Sequence, residues 1–358
     1  MKRWLCCLVL LAVLTVPAGA VELPEELADA LPREAAELME DVDTSGTEGF
    51  ADGVGKLLQE VGAQAGRLVR KQARGAASVL LVVVLCSLIS GVSQGTDSKN
   101  ERYVAMAGAL AVMLLTAGSL DSLIGLGEQT IGDLQTFSKA LLPTLAAATA
   151  AAGAVTTATF QQVTTVFLAD LLLSLIDGLL MPLTYCYIGA LTAAACLPES
   201  RLGAIAEGLK KVITWILTTV LIAFTLYLSI ARVLSGSVDT TAVRLAKTTI
   251  SQVVPVVGGI IAEASETVLA GAGLAKNAIG VFGMLGILAA CIHPFLHLGV
   301  QYLLYKLAGF FSSVVGAPSL SRLINGLGGA FGLVLGMTGA SALLLLISVL
   351  SCVAAVTP

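Results

Sequence analysis

The sequence has few charged side chains for its length. Charged residues make up 12% of the 358 residues, whereas 56% are hydrophobic; a typical soluble domain has about 25% charged residues. This deficit argues against a water-soluble domain, and several apolar runs of about 20 residues are long enough to cross a bilayer. We therefore predict an all-α, polytopic α-helical membrane protein, with about seven or eight spanning or re-entrant segments after a cleavable signal peptide.

The sequence also lacks the motifs of common catalytic sites. It contains no nucleotide-binding loop, nucleophile elbow or metalloprotease motif, so we predict a non-enzyme with no catalytic residues and no cofactor. His293 and His297 lie four residues apart, a spacing that can bind a metal, but the HExxH pattern of a zinc protease is absent. We interpret them as interface or hydrogen-bonded histidines and predict no metal site.

Neither a disulfide framework nor a long basic block is present. Two of the seven cysteines fall in the N-terminal leader and the other five in apolar segments, which suits small buried side chains better than disulfide or metal chemistry. No run of lysines and arginines indicates a nucleic-acid partner.

The chain divides into four parts. Residues 1–20 resemble a secretory signal peptide, with a positive start, an apolar core and an A-x-A cleavage site. Residues 21–53 form an acidic extracytoplasmic arm, which is either a solvated linker or a partner-binding segment. Residues 54–75 form a basic amphipathic helix that lies on the anionic lipid surface or docks on an acidic partner. Residues 76–358 form the multi-spanning membrane domain.

Two features of the membrane domain bear on its topology. Residues 141–160 are rich in Ala and Thr, and Pro143 is expected to interrupt them, which predicts an internal, tightly packed helix or a re-entrant hairpin. The basic loop that carries Arg201, Lys210 and Lys211 is expected in the cytoplasm by the positive-inside rule. Five crossings from an extracytoplasmic N-terminus also place this loop in the cytoplasm.

The stretch Ser237–Gly286 combines helix breakers with charges between two strongly apolar segments. This pattern predicts a broken helix or a re-entrant segment packed inside the protein, and Gly271 and Gly273 argue against a continuous helix. Its candidate polar and packing residues are Pro255, Gly258, Gly259, Glu263, Glu266, Lys276 and Asn277. The charged members of this set form either a buried ion pair or the solvated face of an interfacial helix.

Two more sets of candidate residues lie on other helices. Asp170 and Asp177 are seven residues apart, so they share a helix face; they mark a polar or proton-linked path, or they pair with a lysine or arginine elsewhere in the bundle. Gly328, Gly332 and Gly336 repeat every four residues, which predicts a helix-packing face toward this chain or another subunit.

Three separated motifs resemble one family, the stage III sporulation protein AE family of endospore-forming bacteria. The first is SVDT, VVPVVGGII, ETV and KNAIG within Ser237–Gly286. The second is LLPTLAAATAAAGAVTTATF at Leu141–Phe160, and the third is YKLAGFFSSVVGAPSLSRLINGLGG at Tyr305–Gly329. The resemblance extends over most of the chain after about residue 76, with the motifs in matching order.

The resemblance implies a membrane subunit of a channel or secretion-like complex that links mother cell and forespore and supports late forespore gene expression. The implied partners are other stage III sporulation A membrane proteins, including a secretion-type ATPase and ring-forming subunits, together with a forespore-side membrane partner. The implied location is the mother-cell membrane that surrounds the forespore. The residues alone leave an alternative, a stand-alone secondary transporter that uses midplane acids in broken helices.

Overall fold

The computed structural model describes residues 25–39, 46–92, 98–153, 166–197, 201–253 and 258–353, and for residues 231–270 it describes the backbone alone. These residues form nine α-helices and no strand. In chain order the helices are α1 (Glu25–Asp29), α2 (Arg33–Met39), α3 (Gly46–Val92), α4 (Ser98–Ala151), α5 (Val166–Leu175), α6 (Met181–Cys196), α7 (Leu202–Val253), α8 (Gly258–Val314) and α9 (Pro318–Val353). A π-helical turn, Ile176–Leu180, joins α5 to α6. The predicted signal peptide lies outside these ranges.

Six parts of this helical structure are long and apolar enough to cross a membrane. They are Gly49–Val92, Arg102–Ala151, Phe167–Cys196, Leu202–Ile230, Gly271–Val314 and Pro318–Val353. The predicted fold class, an all-α polytopic membrane protein, is therefore confirmed. The segments are fewer and longer than the seven or eight expected, because several predicted segments join into single helices.

Four helices are about twice as long as a bilayer requires. α3, α4, α7 and α8 contain 47, 54, 52 and 57 residues, or about 70–85 Å at 1.5 Å per residue. A membrane span needs about 20 residues. The basic amphipathic helix predicted at 54–75 is consequently not a separate element, since α3 carries it straight into the first apolar segment.

Pro143 lies inside α4 and does not end it, so the interruption predicted there is wrong. A proline removes one backbone N–H donor and leaves a carbonyl of the preceding turn without its helical partner. The adjacent Thr144 donates its hydroxyl to the carbonyl oxygen of Ala140 at 2.7 Å, which ties this turn together through a side chain. Residues 154–160 of this motif lie outside the described residues.

The order of side-chain contacts fixes how the long helices run. Gln72 of α3 donates to the carbonyl oxygen of His297 at 3.3 Å, and Ser87 donates to that of Val315 at 2.8 Å. Both helices therefore advance in the same direction, and α3 runs parallel to α8. α9 returns antiparallel to α8 after a turn at Gly316, where φ is +89°, a value that favours glycine.

The core sits around the α8–α9 pair. The rings of Tyr305 and Phe331 meet edge to face with centroids 5.3 Å apart, and most of α9 is buried. Glycines on neighbouring helices admit large side chains at close range: Leu141 packs on Gly283 and Leu191 on Gly326. Helices in lipid associate through this kind of close packing, because lipid tails give little hydrophobic driving force between them.

A belt of exposed apolar side chains lies toward one end of the bundle. They occupy the last part of α3, the first part of α4 and the last part of α8: Leu81, Leu85, Leu88, Leu110, Leu114, Leu303, Leu307 and Phe310. Beyond these positions, charged residues appear on α3 up to Arg74 and on α4 from Asp121 onward. We call the part beyond them, comprising residues 46–74, 121–151 and 258–296 together with α5, whose Asp170 contacts Gln135 and Lys139, the extension.

The acidic arm does not behave as a solvated linker where it is described. Leu27 and Ala35 are fully buried, and Leu31 is 8% exposed. Leu31 lies with Phe137 against Gly286, where a Cβ atom would be only 2.9 Å from Leu31 Cδ2. α1 and α2 therefore pack on the extension through apolar residues spaced four apart, while their described acids remain exposed.

Candidate functional site: polar and packing contacts of the bundle

Asp170 is held by two residues of α4. Its Oδ1 accepts a hydrogen bond from Gln135 Nε2 at 2.6 Å and lies 3.2 Å from Lys139 Nζ. Gln135 Nε2 also reaches Ser174 Oγ at 3.2 Å. Gln135 and Lys139 are four residues apart, as are Asp170 and Ser174, so two helix faces meet here.

This contact corresponds to one of the two interpretations of Asp170, pairing with a base elsewhere in the bundle. Lys139 is 58% exposed and Asp170 40% exposed, so the pair lies on the outer surface of the bundle. The four-residue spacing of Gln135 and Lys139 marks a polar face on α4, a signal in the sequence that could have pointed to this contact.

Asp177 is separated from this cluster. It lies half-buried in the π-helical turn Ile176–Leu180, and within the described part of the chain it has no hydrogen-bond or ion-pair partner. A π-turn is often found where a helix carries a functional side chain. The seven-residue spacing did not bring the two aspartates into one site.

The charged central stretch is more regular than its glycines suggest. α8 runs continuously from Gly258 through Gly271 and Gly273, so the expectation that these glycines interrupt the helix is wrong. Tertiary packing outweighs the cost of glycine, which is about 1 kcal/mol per residue in a helix. Of the predicted polar residues, Lys276 is 1% exposed and Asn277 is exposed.

Several candidates of this stretch fall where side chains are not described. Pro255 lies outside the described residues, in the interval 254–257 between α7 and α8. Gly258, Gly259, Glu263 and Glu266 belong to the first turns of α8, for which the backbone alone is described. The ion pair considered for Glu263, Glu266 and Lys276 thus stays a prediction.

The glycine ridge of α9 faces helices of this same chain. A Cβ atom at Gly328 would lie 3.2 Å from Tyr305 Cβ and 3.4 Å from the backbone nitrogen of Lys306. At Gly332 it would lie 2.9 Å from the Tyr302 ring, whereas at Gly336 the nearest atom, Leu217 Cδ2, is 3.8 Å away. The two tight positions therefore seat α8 on α9, and the third faces α7.

A second polar cluster joins α2, α3 and α8. Nδ1 of His293 lies 3.6 Å from Oε2 of Glu34, and the two histidine rings lie 4.0 Å apart between centroids. Nδ1 of His297 is 3.0 Å from the carbonyl oxygen of His293, and the carbonyl oxygen of His297 itself accepts the hydrogen bond from Gln72. His297 is hydrogen-bonded, as expected. Nothing in the sequence indicated that Glu34 lies next to His293, because the arm was predicted to be a solvated linker or a partner-binding segment.

These clusters link helices of the bundle. Within the described ranges, no group of three or more His, Cys, Asp or Glu residues is placed to hold a metal ion. The largest fully buried side chains include Tyr305, Phe137 and Phe331. The polar contacts join α4 to α5 in the first cluster and α2 and α3 to α8 in the second.

Comparisons with known proteins agree with the sequence motifs. A family model described as Stage III sporulation protein AE matches residues 35–356. The chain is also similar to the Stage III sporulation protein AE of Bacillus subtilis (strain 168), with 22% identity over 232 residues. That alignment covers 64% of this chain and 58% of the relative, so this chain matches little more than half of the relative's length. No solved structure matches the chain.

Proposed function

We propose that this chain, which belongs to the stage III sporulation protein AE family, is one subunit of a multi-protein channel between mother cell and forespore. The chain is a membrane protein of stage III sporulation. In the proposed role it sits in the mother-cell membrane around the forespore and supports late gene expression there. It contributes no catalysis of its own.

One observation carries the proposal: apolar side chains remain exposed on the extension. Phe167 and Leu171 are 68% and 52% exposed, and they flank Asp170, which contacts Gln135 and Lys139 of α4. Gln135 lies fourteen residues beyond Asp121, about 20 Å further along α4. We infer that another protein covers these exposed apolar side chains.

The packing of the core favours a multi-subunit assembly and argues against a conduit formed by one chain. The space between α8 and α9 is closed by Tyr305, Phe331 and the glycine contacts. A passage wide enough for solutes would therefore require walls from more than one subunit. The proposed partners are the other stage III sporulation A membrane proteins, including a secretion-type ATPase and ring-forming subunits, and a membrane protein on the forespore side.

Co-purification from sporulating cells tests this proposal. A tagged chain, extracted in mild detergent, should bring down other membrane proteins made during sporulation, and a variant with Phe167→Glu and Leu171→Glu should recover fewer of them. A matched control, Leu110→Glu with Leu114→Glu, alters the lipid-facing belt instead. If the purified chain alone moves a solute across a reconstituted bilayer, the stand-alone transporter is the better description.

A further inference from the structure

Two lysines from different helices converge on α9 at the end of the bundle opposite the extension. Lys306 of α8 donates from Nζ to the carbonyl oxygen of Asn325 at 3.1 Å. Lys210 of α7 lies over Gly329, where a Cβ atom would be 3.2 Å from Nζ. The glycine backbone thus leaves the space in which the Lys210 ammonium group rests.

Tyrosines complete the walls of this site. The hydroxyl of Tyr187 lies 3.0 Å from the same Cβ position at Gly329 and donates to the carbonyl oxygen of Gly326 at 2.8 Å. Nζ of Lys306 is 5.9 Å from the centroid of the Tyr302 ring. Two ammonium groups and a phenol hydroxyl therefore surround a short segment of α9.

Within the described residues, neither ammonium group of this cluster forms an ion pair with a carboxylate. Both lysines are half-buried and close enough to repel each other electrostatically. Among the residues that the structure describes, no carboxylate lies within 4.0 Å of either Nζ; Glu207, one turn earlier on α7, is exposed. Half-buried charges in a membrane protein are costly unless something neutralises them.

Both lysines lie about two turns from the end of a helix, at the same end of the bundle. Lys210 lies eight residues after the start of α7 and Lys306 eight residues before the end of α8, about 12 Å along each helix axis. Lysine stems can carry their ammonium groups toward the headgroups. Exposed apolar side chains flank both positions: Val212 and Trp215 on α7, and Leu303 and Leu307 on α8.

We propose that Lys210 and Lys306 bind the phosphate of an anionic phospholipid headgroup, with the acyl chains against these apolar side chains. Basic pockets between spanning helices bind such headgroups in other membrane proteins. The lipid supplies the negative charge that the protein does not, and it ties α7 to the α8–α9 pair. The site is independent of the proposed channel role, because it lies at the opposite end from the exposed Phe167 and Leu171.

Native mass spectrometry of the full chain tests this site, with phosphatidylglycerol and phosphatidylcholine added in separate titrations. Lys210→Gln should weaken phosphatidylglycerol binding about fivefold, and Lys210→Gln with Lys306→Gln about thirtyfold. Lys211→Gln is the matched control, since Lys211 is an exposed neighbour outside the cluster, and it should bind like the unaltered chain. Lys210→Arg with Lys306→Arg should retain binding.

Three results would overturn the proposal. One is equal binding of phosphatidylglycerol and phosphatidylcholine by the unaltered chain. Another is a loss for Lys211→Gln as large as that for Lys210→Gln. The third is saturation by inorganic phosphate with no effect of the lipid, which would assign the site to a soluble anion. Lys210→Gln alone keeps the test valid if the double variant misfolds, because the Lys306 contact to Asn325 remains intact.

Discussion

Gly332 of α9 lies directly beneath the ring of Tyr302 on α8. A Cβ atom at this glycine would be 2.9 Å from Cδ2 and Cε2 of the ring, closer than carbon atoms pack. Nζ of Lys306 lies over the face of the Tyr302 ring. This one contact thus couples the packing of α8 and α9 to the position of a charged side chain.

We expect Gly332→Ala to destabilise the bundle by about 1–3 kcal/mol, because the added methyl group must push the ring or the backbone aside. The apparent melting temperature in detergent reports this change. Gly336→Ala is the matched control on the same ridge: its Cβ atom would meet Leu217 at 3.8 Å, an ordinary contact. Equal losses in the two variants would contradict the close approach at Gly332.

The ion pair between Asp170 and Lys139 should contribute little to stability. Both side chains are partly solvated, so a double-mutant cycle with Asp170→Asn and Lys139→Gln should give a coupling energy of about 0.2–1 kcal/mol. The coupling should shrink as salt is raised. A coupling well above this range, unchanged in salt, would mean that the pair is buried by a partner.

The docking of α2 depends on Leu31. We expect Leu31→Ala to cost about 2 kcal/mol locally, since the side chain fills the gap at Gly286. Hydrogen exchange of residues 25–39 should then be about thirtyfold faster. Glu37→Gln changes an exposed position of the same helix and should leave exchange unaltered. If Leu31→Ala also has no effect, the arm is not held by this contact.

The extension should stand outside the bilayer. In a variant whose native cysteines are replaced by alanine, a membrane-impermeant maleimide should modify Leu58→Cys from the extracytoplasmic side without detergent. Leu88→Cys, in the apolar belt of the same helix, should react only after solubilisation. Both native side chains are more than 60% exposed, so the difference reports the membrane rather than the protein fold. Reaction of Leu58→Cys from the cytoplasmic side alone would invert the predicted topology.

The sequence predicted the class of the fold but not the continuity of its helices. Long apolar runs can be recognised in the sequence without knowledge of tertiary contacts, so the membrane-spanning character of the chain could be predicted. The misleading positions were Pro143, Gly271 and Gly273, which lie inside continuous helices. Tertiary contacts can outweigh the local helix-breaking preference of glycine or proline when a helix has neighbours along its length.

The polar contacts were predictable only in part. The sequence allowed that Asp170 pairs with a base, yet it could not name Lys139, because the order of helices in space is set by long-range packing. Glu34 and Gln72 were missed for the same reason. The glycine ridge of α9 was visible from its spacing, whereas its partners Tyr305 and Tyr302 required the structure.

Site-specific photo-crosslinking tests the central claim most directly. A benzophenone amino acid at position 167, on the exposed apolar face of the extension, should crosslink to another stage III sporulation A membrane protein in sporulating cells. The same probe at position 114, in the lipid-facing belt, should give no protein adduct. If position 167 yields no more protein adduct than position 114, this chain is not a subunit held through that face, and the account of a shared conduit is wrong.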